Sequence, residues 1–329
     1  MLRNLAARSD AFALASPFRI SRGVKTVADV VTVSLTAGSV TGRGEGVPYP
    51  RYGESIDGAL AEIEAARDAI EGGISREDLL DRMEPGAARN AVDCALWDLE
   101  AKLAGRSVAE MLGMPPVGPT ATAMTVSLDT PDAMAAAALA LADVPLIKIK
   151  VDRSDPEAQI RRVREAAPKP RVIVDPNESW TIAEVERLQP MLAELRIDLL
   201  EQPLPSEEDE ALDGFTSLIP IAADESAHVA GDVAALARKY QVVNIKLDKT
   251  GGLTAALALA DAARAAGMGV MIGSMISTSL SIAPALLIAA RSGFVDLDGP
   301  LWLKDDRAGG VRGAGGVLSP PEAGFWGTP

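Results

Sequence analysis

The sequence contains one cysteine, one histidine and few aromatic residues in a length of 329. A single cysteine, Cys94, cannot form an internal disulfide, which is typical of proteins in a reducing compartment such as the cytoplasm. A single histidine, His228, cannot build a zinc site that needs several histidines. Because aromatic residues make up only 4% of the chain, the core must consist mainly of Ala, Leu, Val and Ile.

Positive charge and long apolar runs are also scarce. The 32 lysines and arginines face 46 aspartates and glutamates, and the resulting net charge of −14 would repel a nucleic acid backbone. The longest weakly polar stretch, residues 275–290, contains Pro284 and several hydroxyl side chains, unlike a membrane span. Residues 11–15 form an apolar run that is too short for a signal peptide. We therefore expect a cytoplasmic protein that binds neither nucleic acid nor membranes.

The first third of the chain has the pattern of a mixed α and β region. Residues 27–36 are rich in Val and Thr and precede a Gly-rich turn, which predicts antiparallel strands. Residues 56–70 and 87–103 have the apolar spacing of helices, and Gly105 stands where a helix would end. Because residues 114–116 (Met-Pro-Pro) interrupt the pattern, we predict a first domain over residues 1–116.

Short apolar runs alternate with helical segments in the rest of the chain. Eight such strand–helix units predict an α/β fold, a (β/α)8-type barrel over residues 117–299. An open doubly wound sheet is the alternative, but it usually carries a Gly-rich dinucleotide loop after a strand, and this sequence has none. The predicted strands are residues 123–128, 146–151, 172–174, 197–200, 219–222, 242–247, 270–272 and 294–297.

Charged residues mark the ends of five consecutive predicted strands. Lys150, Asp175, Glu201, Asp224 and Lys246 follow one another at steps of 25, 26, 23 and 22 residues, about one strand–helix unit each. Such positions meet at the carboxyl face of a barrel, where active sites form. Any one of these charged residues could simply mark the point where its strand reaches solvent. Five of them in the same register favour a functional site instead. Three carboxylates in one pocket need a cation, and an all-oxygen ligand set favours Mg²⁺.

The two lysines belong to the second and sixth predicted strands, which are four units apart in a ring of eight. Lys150 and Lys246 should therefore face each other across the barrel mouth and could exchange protons with both faces of one substrate carbon. Lys148 lies two positions before Lys150, so its side chain should point the same way.

The ordered set of motifs resembles the enolase superfamily, specifically the muconate-lactonizing enzyme subgroup with its Lys-X-Lys motif. The resemblance covers nearly the whole chain. The matching motifs are Pro48-Tyr49-Pro50-Arg51-Tyr52-Gly53-Glu54, Ala95-Leu96-Trp97-Asp98-Leu99, Lys148-Ile149-Lys150, Asp175-Pro176-Asn177, Glu201-Gln202-Pro203, Ala223-Asp224-Glu225-Ser226, Asn244-Ile245-Lys246 and Lys249-Thr250-Gly251-Gly252.

The resemblance implies a modified TIM barrel with an α+β capping domain, formed by residues 1–116 together with a returning segment, residues 300–329. It implies that Lys150 and Lys246 are the acid–base pair, with Lys148 supporting the substrate carboxylate. It also implies that Mg²⁺ is the cofactor, with the ligands Asp175, Glu201 and Asp224. The His–Asp dyad of the mandelate racemase subgroup is excluded, because His228 is the only histidine.

A pair of aspartates follows the eighth predicted strand. Asp296 and Asp298 have strand spacing, so both can point into the barrel mouth, where they would repel dianionic substrates and attract an ammonium group. The pair resembles the Asp-X-Asp motif of dipeptide epimerases, which holds the N-terminal ammonium of the dipeptide. The alternative is that Asp298 only caps the turn at Gly299 and Pro300.

We therefore expect a Mg²⁺-dependent dipeptide epimerase of the L-Ala-D/L-Glu type, an isomerase that acts at the α-carbon of the C-terminal residue. A glutamate side chain needs a cation, and Arg19, Arg22, Lys25 and Arg51 are candidates beside Tyr52 in the capping loops. If none reaches the pocket, hydrophobic dipeptides become the better expectation.

Other activities stay open from the sequence alone. Within the superfamily they are a cycloisomerase, an o-succinylbenzoate synthase and an N-acylamino acid racemase. Outside it they are a Schiff-base lyase that uses a barrel lysine and a non-catalytic binding protein on the same fold. The expected partner is a small-molecule dipeptide, and assembly into a homo-oligomer is left open.

Overall fold

The computed structural model describes residues 2–329. The chain begins with a three-stranded antiparallel sheet in the order β1-β2-β3, and the predicted strand over residues 27–36 lies inside β2. The pairing of β1 with β2 shifts register between Ala13 and Phe18, close to the turn that joins the two strands. The strands are β1 (Asn4–Ile20), β2 (Gly23–Ala37) and β3 (Val40–Gly46).

Five helices follow this sheet. The segment over residues 56–70, predicted as one helix, is two helices separated at Ala66, whose amide is shared between the carbonyl groups of Glu62 and Ile63. The longest helix, α4, ends at Gly105 with a left-handed φ of 62°, as the sequence predicted. The helices are α1 (Ile56–Ala65), α2 (Arg67–Gly72), α3 (Arg76–Arg82), α4 (Ala87–Ala104) and α5 (Val108–Met111).

Glycines allow β3 to lie directly on α4. Gly42, Gly44 and Gly46 alternate along β3 and face this helix. A Cβ atom at any of the three would lie between 2.0 and 2.4 Å from a backbone atom of α4. The sheet and the helix therefore touch backbone to backbone, and apolar side chains of α1, α4 and β2 fill the remaining space.

The second part of the chain is the predicted barrel. Strands β5 to β12 are all parallel, and each pairs with its neighbour in chain order. The ring closes where the amide of Ala123 donates to the carbonyl of Val295 at 2.8 Å. After β4 (Thr120–Ala121), the strands are β5 (Met124–Val126), β6 (Leu146–Lys150), β7 (Arg171–Asp175), β8 (Leu199–Glu201), β9 (Ile221–Ala223), β10 (Val242–Ile245), β11 (Gly269–Gly273) and β12 (Phe294–Asp296).

Helices cover the outside of the barrel, so its strands are buried on both faces, as their apolar runs indicated. The helices are α6 (Pro131–Leu139), α7 (Pro156–Ala166), α8 (Ile182–Glu194), α9 (Val233–Leu236), α10 (Leu247–Thr250), α11 (Leu253–Ala265) and α12 (Ser279–Ala289). None of the helices described between residues 2 and 329 is long and apolar enough to span a bilayer.

The last thirty residues contact both parts of the chain. Strands β13 (Arg312–Ala314) and β14 (Val317–Ser319) form a small antiparallel sheet with β4. Beyond them, Trp326 donates from its indole nitrogen to the carbonyl of Cys94 in α4 at 3.1 Å. These contacts support the division that we propose: capping domain 1–116, barrel 117–299 and returning segment 300–329.

Candidate active site

A cavity of about 490 Å³ lies between the barrel mouth and two loops of the N-terminal region. The predicted lysines and aspartates of strands β6, β10 and β12 line it from below, and the predicted loop residues line it from above. The structure therefore brings most of the predicted site residues to one place. Those lining the cavity are Arg22, Lys25, Arg51, Tyr52, Lys148, Lys150, Lys246, Asp296 and Asp298.

The three predicted metal ligands are buried at the carboxyl ends of adjacent strands. Asp175 ends β7, Glu201 ends β8 and Asp224 follows β9. Burial alone would raise the pKa of Asp175, but the ammonium groups of Lys150 and Lys148 hold it well below its usual range. Burial, together with the charge of Asp175, raises the pKa of Glu201. The carboxylates are thus strongly coupled to one another and to the lysines around them.

The donor set of these carboxylates fits a hard divalent cation. Lysine ammonium groups lie between the carboxylates, and no three acidic side chains among residues 2–329 converge closely enough to hold an ion in this arrangement. Lys148 engages both oxygens of Glu201: its Nζ lies 2.8 Å from Oε2 and 2.9 Å from Oε1. Asp175, Glu201 and Asp224 nevertheless form an all-oxygen donor set, buried at the ends of three neighbouring strands, and such a set suits Mg²⁺.

Lys150 and Lys246 lie on opposite walls of the cavity, since β6 and β10 are four strands apart in the ring of eight. Each ammonium group contacts one of the buried carboxylates: Lys150 Nζ lies 2.5 Å from Asp175 Oδ2, and Lys246 Nζ lies 2.7 Å from Asp224 Oδ2. Although burial opposes it, the charge of Asp224 raises the pKa of Lys246. The geometry allows one ammonium or amine group on each face of a molecule bound between them.

Lys148 does not extend to solvent but is buried at the centre of the acidic cluster. Its Nζ lies 2.8 Å from a carboxylate oxygen of both Glu201 and Asp296, and 3.0 Å from Asp175. These charges raise the pKa of Lys148 well above its usual value, against the effect of burial. Lys148 therefore connects Asp296 of β12 to the predicted metal ligands Asp175 and Glu201.

The aspartate pair at the end of β12, Asp296 and Asp298, is buried at the cavity wall. Asp298 Oδ2 accepts hydrogen bonds from the amide of Thr125 at 2.9 Å and from the indole of Trp302 at 3.2 Å. Burial and the neighbouring Asp296 raise the pKa of Asp298 to about 6. Asp296 gives one oxygen to Lys148, and its Oδ1 is buried without a hydrogen-bond partner. This wall thus carries unsatisfied acceptor capacity toward the cavity.

The loop residues differ in how strongly they are already engaged. Arg22 forms ion pairs with Glu225 at 2.7 Å and Glu178 at 2.9 Å, and Arg51 also pairs with Glu178 at 2.9 Å. Lys25 has no carboxylate within 4 Å in residues 2–329, and its ammonium lies 4.9 Å from the centre of the Tyr49 ring. Arg19, the fourth predicted cation, does not line the cavity and lies 3.7 Å from Asp129. Of the predicted cations, Lys25 is therefore the one whose charge is available to a ligand in the cavity.

Two functional candidates were not predicted from the sequence. Lys249 is buried beside the site, and its ammonium group donates to Asp224 Oδ1 at 2.7 Å and to the carbonyl of Asn244 at 3.0 Å. Glu178 accepts hydrogen bonds from both loop arginines. Lys249 stands three residues after Lys246, in the matching motif Lys249-Thr250-Gly251-Gly252, and Glu178 stands three residues after Asp175; these positions are the sequence signals that could have identified them.

Two family models match the chain. Residues 3–113 match the N-terminal domain of the mandelate racemase and muconate lactonizing enzymes, and residues 132–324 match the enolase C-terminal domain-like model. The second match alone covers more than half of the chain. The chain therefore belongs to the mandelate racemase and muconate lactonizing enzyme family of the enolase superfamily, which confirms the resemblance seen in the motifs.

Similar proteins are named as epimerases and racemases. The L-Ala-D/L-Glu epimerase of Escherichia coli is 44% identical over 93% of this chain and 96% of its own length. The N-acetyl-D-glutamate racemase of a Pseudoalteromonas species is 43% identical over 91% of this chain and 95% of its own.

Solved structures agree with these relatives. An enolase family member from Agrobacterium tumefaciens with homology to dipeptide epimerases, solved with bound sodium and L-Ala-L-Glu, is 50% identical with a TM-score of 0.97. The match covers 99% of this chain and all of that one. Two further dipeptide epimerases, both 29% identical, were solved in complex with Mg and a dipeptide.

Proposed function

We propose that the protein is a Mg²⁺-dependent dipeptide epimerase that inverts the α-carbon of the C-terminal residue in dipeptides of the L-Ala-D/L-Glu type. The observation that carries this proposal is the placement of Lys150 and Lys246 on opposite walls of one cavity, beside three buried carboxylates. A racemising two-base reaction needs a proton acceptor on one face of the carbon and a proton donor on the other.

The lysines move the protons in this reaction. One lysine, as the neutral amine, takes the α-proton, and the electron pair of the C–H bond passes into the substrate carboxylate. The other lysine, as the ammonium ion, donates a proton to the opposite face, and a new C–H bond forms with inverted configuration. Mg²⁺, when held by Asp175, Glu201 and Asp224, supplies positive charge that stabilises the negative charge on the substrate carboxylate.

Other residues orient the dipeptide. Lys148, held between Glu201 and Asp296, would support the reacting carboxylate when a bound cation takes over the charge of Glu201. The aspartates Asp296 and Asp298 suit the N-terminal ammonium, because an unpaired carboxylate oxygen at the cavity wall gains a charge-assisted partner.

The free charge of Lys25 supports glutamate as the C-terminal residue. Arg22 and Arg51 are neutralised by glutamates, whereas Lys25 lines the cavity without a carboxylate partner in the described chain. A substrate side chain that ends in a carboxylate would complete this ion pair. Tyr52 also lines the cavity, and its ring packs edge-on against the ring of His228.

A second candidate activity is racemisation of an N-acylated glutamate, which the Pseudoalteromonas relative favours by its name. Such a substrate shares the glutamate but has no ammonium group, so the buried Asp296 oxygen would stay without a partner. For this reason we favour the dipeptide.

Proton NMR of the purified protein with L-Ala-L-Glu and Mg²⁺ tests the proposal. We expect L-Ala-D-Glu to accumulate to a near-equal mixture, and excess EDTA to stop the reaction. N-acetyl-L-glutamate should react with a much lower kcat/KM. Turnover of the N-acyl compound alone would establish the second candidate, and turnover of neither would contradict both.

Replacing Lys25 tests the choice of side chain. Lys25→Met should lower kcat/KM for L-Ala-L-Glu about tenfold or more, since a charge-assisted contact is worth roughly 1.5–3 kcal/mol. Epimerisation of L-Ala-L-Leu should change little. The control is Lys169→Met, an exposed lysine that pairs with Asp143 away from the cavity. Equal losses on both dipeptides would show that Lys25 does not recognise the side chain.

A further inference from the structure

Two loops of the N-terminal region form the upper wall of the cavity. The hairpin of β1 and β2 contributes Arg22 from its turn and Lys25 from the start of β2, and the loop after β3 contributes Tyr49, Arg51 and Tyr52. A substrate bound between Lys150 and Lys246 would lie beneath these loops. The contacts that fasten them to the barrel therefore decide how the cavity closes.

Both loops are fastened to the same barrel residue, Glu178. Arg51 donates from Nε to Glu178 Oε2 and from Nη2 to Oε1, both at 2.9 Å, so the pair is bidentate. Arg22 donates from Nη1 to Oε2, also at 2.9 Å. The amide of Ser206, on the next barrel loop, donates to Oε1 at 3.0 Å. The carboxylate of Glu178 thus joins the two loops of the N-terminal region, which we call the cap loops, to two barrel loops. The side chain of Glu178 is only 7% exposed.

The backbone that presents Glu178 is held in a rare conformation. Asn177 and Glu178 have φ values of 47° and 65°, two successive left-handed residues that are not glycine. Such a conformation persists only where the surroundings enforce it. Here the amide of Asn177 donates to Asp175 Oδ1 at 2.8 Å, and the amide of Glu178 donates to the carbonyl of Gln202 at 2.9 Å. The carboxylate is therefore connected rigidly to the predicted metal ligands.

We propose that Glu178 is a positioning residue that holds both cap loops closed over the bound substrate. The proposal rests on the proposed function for the identity of that substrate. Glu178 acts through Arg22 and Arg51, and it thereby keeps Lys25 and Tyr52 at the cavity. In this role the two arginines fasten the loops and do not bind the side chain of the substrate.

Hydrogen–deuterium exchange of Glu178→Gln tests the proposal without substrate. We expect exchange in residues 18–25 and 49–53 to rise about threefold or more, with barrel strands unchanged, because the neutral amide binds both guanidinium groups less strongly. The matched control is Glu207→Gln: Glu207 also pairs with Arg51, but it is 67% exposed and contacts no second arginine in residues 2–329. In Glu207→Gln, exchange in residues 18–25 and 49–53 should stay within about twofold of that in the parent protein, because exposed ion pairs contribute little to stability.

Kinetics give the second readout. For L-Ala-L-Glu, Glu178→Gln should raise KM about tenfold and change kcat less than about threefold, since the loops carry binding and not proton transfer. Unchanged exchange in both loops would overturn the proposal. A rise spread over the whole barrel would also overturn it, because it would mean a general structural role. The exchange result stands whether or not the chain epimerises dipeptides.

If Glu178→Gln does not fold, a variant in the cap loop after β3 tests the same contact. Arg51→Gln removes the bidentate partner and should loosen residues 49–53 in the same way. Where both single variants fold, the double variant should raise exchange in residues 49–53 by less than the sum of the two single effects, because both changes break the same Arg51–Glu178 contact. If the rise in exchange in the double variant equals the sum of the rises in the two single variants, the proposal is wrong.

Discussion

Every lysine at the barrel mouth is paired with a carboxylate on an adjacent strand or loop. Lys150 contacts Asp175, Lys246 and Lys249 contact Asp224, and Lys148 contacts three carboxylates. Charges of both signs can therefore be buried together, since each offsets the cost of removing the other from water. The same pairing keeps the acid–base groups beside the residues that would hold Mg²⁺.

Asp298 tests recognition of the substrate ammonium. Asp298→Asn keeps an oxygen that can accept from Thr125 and Trp302 but removes the charge. KM for L-Ala-L-Glu should rise about tenfold, because a charge-assisted contact becomes a neutral one. Weak turnover of N-acetyl-L-glutamate should change much less. Similar losses on both substrates in steady-state assays would assign Asp298 to the fold instead.

The strand-end residues could be predicted because parallel strands bring their carboxyl ends to one face. The periodicity of Lys150, Asp175 and Lys246 along the sequence is therefore sufficient to place them together at the barrel mouth. The partners of Arg22 and Arg51 could not be predicted in this way. Their ion pairs with Glu178 join residues 127 to 156 positions apart, through loops whose conformation no periodic pattern specifies.

At the scale of secondary structure, helix α4 and strand β3 pack backbone against backbone in the N-terminal region. The sequence predicted α4 and its end at Gly105, because the apolar spacing and the terminal glycine are local signals. It did not predict the break at Ala66, where the apolar pattern continues through a tightened turn. The sequence also did not predict that the β3 glycines allow close packing, since this role depends on the position of a helix some fifty residues away.

Gly44→Ala tests this close contact. The added Cβ would lie 2.1 Å from the carbonyl oxygen of Ala91, so the sheet or the helix must shift. We expect the free energy of unfolding to fall by about 1–3 kcal/mol or more, measured with urea. Gly72→Ala is the control, because a Cβ there meets no atom within 4 Å and the residue lies in a helix. Equal stability of the two variants would contradict the account of this packing.

At the scale of the whole molecule, one buried ion pair joins the sheet, the barrel and the returning segment. Arg307, in the last thirty residues, contacts Glu45 of β3 at 2.8 Å and donates to Thr278, at the start of α12, at the same distance. Glu45 is fully buried and also accepts from the amide of Thr278. The pair therefore stabilises the loop between β11 and α12, which forms part of the cavity wall.

Arg307→Met tests this link between the parts of the chain. Glu45 would remain buried without its cation, and the loss of one partner of a buried pair typically costs about 3–5 kcal/mol. The urea midpoint should fall accordingly. Arg312→Met removes an exposed pair with Glu322 and should change stability by less than about 1 kcal/mol. If both variants unfold at the same urea concentration, Arg307 does not join the domains in the way that we describe.

The central claim is that two lysines on opposite walls each serve one face of the same carbon. In heavy water, Lys246→Ala should not epimerise L-Ala-L-Glu or L-Ala-D-Glu, because every inversion needs both groups. Lys150, still beside Asp175, should exchange the α-proton of only one of the two isomers for deuterium, and Lys150→Ala should exchange only the other. Proton NMR and mass spectrometry measure both outcomes in one sample. We predict stereospecific exchange without inversion; epimerisation at near the parent rate by either variant would contradict the two-base account.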